Sequence, residues 1–144
     1  MVGKLAAHAR PRYAHGSMEM ATVRSWIEGL DYLVDTREPA LLCIKPPGKV
    51  GDRLPPFYVQ LSENWLLLSM LPFFPPDTPL SRRTMMTLLT ATRDMRTAKF
   101  AMGQDGEVVL CAELPTESLD ESEVKDAIER MVGYAVDFGG FSST

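Results

Sequence analysis

"LLTATRDMRTAKFAMGQDGEVVLCAELPTESLDESEVKDAIERMV", residues 88–132, passes from helical spacing to strand alternation and back, and those two changes decide the fold. At its centre, "AKFAM" and "EVVLCAEL" flank "GQDG", the Gly/Asp chemistry of a hairpin connection in which Gly103 or Gly106 takes positive φ. Val108, Leu110, Ala112 and Leu114 share one face of the second strand; Glu107, Val109, Cys111 and Glu113 share the other. Asp105 and Glu107 read as turn and strand-edge residues, because the D-x-D-x-D-G pattern and distant Glu of a calcium loop are missing. In "TESLDESEV", Asp120 and Glu123 have the N-cap and N3 spacing of a capping box, and the crowded acids suit the positive end of a helix dipole. Val124, Ala127, Ile128, Met131, Val132, Ala135 and Val136 then form a stripe that should lie on the sheet. The tail "DFGGFSST" holds Phe138 and Phe141 as its available anchors.

Upstream, Thr78 is placed to cap and Pro79 to open a helix running to about Met95 or Arg96. Leu80, Met85, Leu88, Ala91 and Met95 form its broad apolar face, while Met86 and Leu89 lie beyond that face among Arg82, Arg93 and Arg96. A surface helix needs one apolar stripe, so the surplus predicts a second contact, to which methionines adapt. Before it, "FYVQLSENWLLLSMLPFF" divides at Ser62-Glu63-Asn64 into two strands joined by a tight hairpin. Trp65, Leu67 and Leu71 face one way, and Leu66, Leu68 and Met70 the other, so both faces of the second strand want cover. Apolar residues at Val23, Trp26, Ile27, Leu30, Leu33 and Val34 predict a first helix over 22–34, stopped by Pro39. "ALLCIKP" reads as a short buried strand before the loop "KPPGKVGDRLPP", whose Lys45, Lys49 and Arg53 do not have P-loop spacing. The predicted order is α-β-β-β-α-β-β-α: a single α+β domain with an antiparallel sheet packed against helices.

With 144 residues, 45% of them hydrophobic, the chain suits one core and therefore one domain, assigned to residues 18–144. Residues 1–17, ending in "GS", read as a disordered tail or an expression tag. They hold Lys4, Arg10 and Arg12 and no acid, so of the 15 basic and 19 acidic side chains the remainder carries 12 against 19, a formal −7. An acidic body disfavours a phosphate backbone as the main partner. Both histidines, His8 and His15, fall in the tail, which removes Ser-His-Asp and Cys-His catalysis and His-bearing zinc sites from the body. Cys43 and Cys111 lack a CxxC partner and read as small hydrophobes in a reducing cytoplasm. No apolar run approaches the ~18 residues of a membrane span. No catalytic, metal or cofactor-binding residues are assigned, and no cofactor is expected. Carboxylates such as Glu63, Asp77 and Glu113 would do acid/base work only in a shared dry cleft, and they fall on turns and strand ends.

The helix, short strand, Gly/Asp turn, strand ending in Glu-Leu-Pro and final helix of residues 88–132 resemble the YbjN-like family and, through it, the type III secretion chaperone-like fold. The resemblance extends over roughly residues 18 to 138. It implies a small, acidic, non-enzymatic, cytoplasmic homodimer that binds an extended segment of a client protein or acts as a regulator. The expected partner-binding residues are Trp65, Leu67, Leu71 and Phe73; the expected dimer interface holds Met85, Met86, Leu89 and Phe100. The alternative is a nucleic-acid-associated accessory protein using Arg82, Arg83, Arg93 and Arg96 with loop 45–53.

Overall fold

The computed structural model describes residues 18–139, and everything structural below refers to them. The chain forms α1 (Met20–Glu28), β1 (Leu33–Glu38), β2 (Leu41–Lys45), the short α2 (Lys49–Arg53), β3 (Phe57–Leu61), β4 (Trp65–Met70), α3 (Arg82–Asp94), β5 (Ala98–Met102), β6 (Val108–Pro115) and α4 (Glu121–Phe138). The strands make one six-stranded sheet in the order β1-β2-β3-β4-β6-β5, antiparallel throughout.

The α+β class and the antiparallel sheet are as expected; the element order is not. Leu33 and Val34, read as the end of the first helix, open β1 instead. Their spacing from Leu30 is helical by coincidence. Gly29 closes α1, its N–H donating to the Ser25 carbonyl, and Asp31 at φ 67° turns the chain away. Pro39 therefore sits in the β1–β2 connection, and four strands, not three, precede α3. The loop "KPPGKVGDRLPP" contains the additional short helix α2. The cap of α3 is Ser81, whose hydroxyl accepts from the Thr84 N–H, so Thr78 and Pro79 lie before the helix rather than at its start.

The remaining local signals act where the residues place them. In α4, the Asp120 carboxylate accepts from the Glu123 N–H and the Glu123 side chain accepts from the Asp120 N–H, satisfying two donors at the helix start. Gly106 takes φ 80° in the β5–β6 connection, where the Gly103 N–H donates to the Glu107 carbonyl at 2.8 Å. The β3–β4 turn is fastened to the chain before α4. The Thr116 N–H donates to the Asn64 carbonyl and its hydroxyl to the Glu63 carbonyl, which is why a buried threonine is tolerated there.

Strand pairing sorts the side chains into two layers. Leu42, Ile44, Phe57, Val59, Leu66, Leu68, Met70, Leu110 and Ala112 are buried together with Val23 and Ile27 of α1, Leu88 of α3, and Val124, Ala127, Ile128 and Met131 of α4. Every helix that contributes to this core therefore stands on one face of the sheet. The α4 helix packs on β6 and beside α1, while α3 packs on β5.

Candidate functional site

Among the described residues no helix packs over the other face of the sheet. The register aligns Asp35, Cys43, Tyr58, Ser69, Cys111 and Lys99 in one row across all six strands, and Leu41, Gln60, Leu67 and Glu113 in the next. Most of these residues are half-buried or exposed. The exception is Ser69, a small side chain that sinks between its larger neighbours Tyr58 and Cys111. Along β4 this outer face presents Trp65, which is 38% exposed, and the half-buried Leu67, with Leu71 just beyond the strand end. Their neighbours Leu66, Leu68 and Met70 fill the core. Trp65 pairs with Pro115 and Leu67 with Glu113 on β6, so the aromatic ring lies at one end of the sheet beside an acidic neighbour.

Phe73 does not continue this face. Strand β4 ends at Met70, and beyond it the Phe73 N–H donates to the Val108 carbonyl of β6. The Phe73 ring, 4% exposed, sits edge-on against Phe74 and Phe100 in the core.

Met86 (53% exposed) and Leu89 (64% exposed) stand out from α3, whereas Met85 leans on the core and Leu88 enters it. Phe100 is also interior. Its ring packs edge-on against Phe73 and Phe138, and its N–H donates to the Thr92 hydroxyl, so α3 covers part of the β5 edge. Leu33 (69% exposed) and Val136 (57%), the latter expected to lie on the sheet, are also exposed, and so is Met102 at 59%, the last residue of the "AKFAM" strand β5. Its strand alternation assigns it to the helix side, but it lies at the end of an edge strand, beyond helical cover.

Charge and thiol chemistry are dispersed. Lys45 is paired with Asp52 and Arg93 with Asp94. Lys45 ends β2 while α3 packs on β5, and β3, β4 and β6 lie between those strands. Cys43 and Cys111 are free and half-buried on the outer face. They are separated by three strand spacings, about 14 Å, too far for a disulfide. Burial pushes the Cys111 thiol above its ordinary pKa, which disfavours the reactive thiolate. Glu63, Asp77 and Glu113 stand on a turn, a loop and a strand. Among the described residues no cluster of His, Cys, Asp or Glu is arranged to hold a metal ion, and no helix is long and apolar enough to cross a membrane. Phe141 and residues 1–17 lie outside the described residues.

A helix-backed antiparallel sheet with one bare face is the architecture on which sequence comparison bears directly. The sequence model of the Tir chaperone protein (CesT) family matches residues 57–138, more than half of the chain. The chain belongs to that family. The match runs from β3 to the end of α4, and so covers the β4 face, α3 and the β5–β6 hairpin of this CesT-family protein.

Solved structures agree in fold over a longer stretch. A chain of the heterodimeric complex ExoU-SpcU from the type III secretion system of Pseudomonas aeruginosa superposes with a TM-score of 0.60 at 17% identity, covering 80% of this chain and 93% of that one. A chain of the HopA1-SchA chaperone-effector complex gives 0.61 at 9% identity, covering 83% and 91%. YbjN from E. coli, described as a putative transcription regulator, gives 0.57 at 18% identity, covering 83% and 90%. These likenesses establish the shared fold, and the type III secretion chaperone-like and YbjN-like resemblance is borne out. No protein of curated function matches the CesT-family chain in sequence.

Proposed function

We propose that this CesT-family protein is a non-enzymatic, chaperone-like homodimer that holds an extended segment of a client protein on the outer face of its sheet. The observation that carries the reading is the bare face itself, where Trp65 and Leu67 on β4, with Leu71 just past its end, lie opposite a fully packed core layer. An apolar row on an otherwise polar surface marks a contact site, and a tryptophan supplies the large area on which binding energy concentrates. Family membership and the likeness to chains from a type III secretion heterodimer and from a chaperone-effector complex support a client over a small ligand. The dimer contact is assigned to Met86 and Leu89 of α3 with Met102 of β5, surfaces on the helix side of the molecule that leave the client face open.

The test is a Trp65→Ala variant in an affinity pulldown from the native cell. The variant should keep the far-UV spectrum and dimer mass of the parent and lose the client. Unchanged client recovery, or loss of the fold, would remove Trp65 from the site.

A further inference from the structure

The connection from β4 to α3 and the β5–β6 hairpin enclose a second feature, a groove of ≈ 490 Å³. One wall is apolar, with Pro72, Phe74, Pro75 and Leu80 on the connection; Asp105 and Glu107 stand on the hairpin side. The two sides are fastened together by the Phe73 N–H donating to the Val108 carbonyl at 2.7 Å. The Glu107 carboxylate is held in place. It accepts from the Asp105 N–H at 3.0 Å and lies over Gly103, where a Cβ would come within 2.3 Å of it. Asp105 is exposed, and neither carboxylate has an ion-pair partner among the described residues. Among the described residues that line the groove none is basic, and its prolines have no backbone N–H to offer an anion.

Two carboxylates beside a proline, phenylalanine and leucine wall suit one kind of group. A long basic side chain lays its aliphatic stem on the apolar wall while its head meets the acids. A guanidinium fits better than an ammonium, because its planar fork engages carboxylates in pairs and its faces stack on rings. We propose that this groove binds an arginine-bearing extended segment of a partner protein. Leu71 lies on its rim, about 20 Å along β4 from Trp65. A segment laid on the outer face would thus meet the groove at its end, but the groove's own chemistry stands whether or not that face takes a client.

The probe is a short fluorescein-labelled peptide of alternating leucine and arginine, with a leucine-glutamate peptide as control, followed by anisotropy. The arginine peptide should bind and the glutamate peptide should not. Asp105→Asn with Glu107→Gln keeps the side-chain shapes and should weaken binding at least about tenfold while leaving Tm near that of the parent. Asp105→Asn alone, at an exposed position, provides the same reading in part if the double variant is unstable. Glu117→Gln with Glu121→Gln, an equal charge change beyond the far end of β6, should leave affinity unchanged, and Trp65→Ala should leave the effect of the groove substitutions intact. Equal binding of both peptides, unchanged affinity in the groove variants, or equal weakening by the Glu117/Glu121 pair would overturn the assignment.

Discussion

Tyr32 shows how one residue reports on its packing. It lies in the turn between α1 and β1, partly buried against the core, and its phenol is pushed up to about 12, first by burial and then by the negative charge of Glu129 on α4. A raised folded pKa means that the stabilisation is fully present below the unfolded value of about 10 and is lost as pH rises through about 12. Ultraviolet titration of the phenolate band should therefore show a late component that a Tyr32→Phe variant lacks. A Tyr32 that titrates near pH 10 in the folded protein would show that the turn does not pack as described.

At the scale of the element, α4 depends on its first turn. The Asp120 carboxylate is held below its ordinary pKa by the Glu123 N–H and then by the Ser122 hydroxyl. A depressed folded pKa contributes stability above the ordinary aspartate range, and the contribution is lost as pH falls through the lowered value. Asp120→Ala should lower Tm at neutral pH by about 2–5 °C. Asp120→Asn, which keeps an acceptor without the charge, should lose less, and its deficit should shrink as the medium becomes acid. Equal Tm for Asp120→Ala and the parent at neutral pH would remove the capping box from the stability of α4.

For the whole molecule, the deciding quantity is the apolar surface left over when the core is full. Fully covering a Leu or Met side chain contributes about 1.5–3 kcal/mol, so Met86, Leu89 and Met102 together represent an association surface of consequence. Light scattering at micromolar concentration should give the mass of a dimer, and Met86→Glu with Leu89→Glu should shift it to that of a monomer without loss of helical signal. A parent that is monomeric over that range would sink the dimer. The sheet edges favour helix contact over unbroken strand pairing between copies, because Thr92 accepts from the Phe100 N–H on β5 while Arg24 donates to the Val34 carbonyl and the Thr36 hydroxyl on β1.

What was legible in the residues was the local chemistry. The Asp120–Glu123 cap, the Gly106 turn, the Ser62–Asn64 hairpin, the alternation of β6 and the separation of Leu66, Leu68 and Met70 from Trp65 and Leu67 on β4 each depend on interactions within a few residues or on a strict period of two, which does not say which β4 face enters the core. The division of α3 was legible too, with Leu88 in and Met86 and Leu89 out, because a helix of known phase has only one core side. Tertiary structure alone decided the rest. Leu33 and Val34 fit a helix as well as a strand by spacing, and only pairing with Lys45 and Ile44 makes them β1. Phe73 and Phe100 were sorted by neighbours distant in sequence: their rings meet each other, Phe74 and Phe138 in the core, and no period along the chain encodes that meeting. The bare sheet face and the acidic proline-walled groove arise in the same way, since short-range physics sets each element's faces, while which face is left without a partner depends on where every other element has already packed.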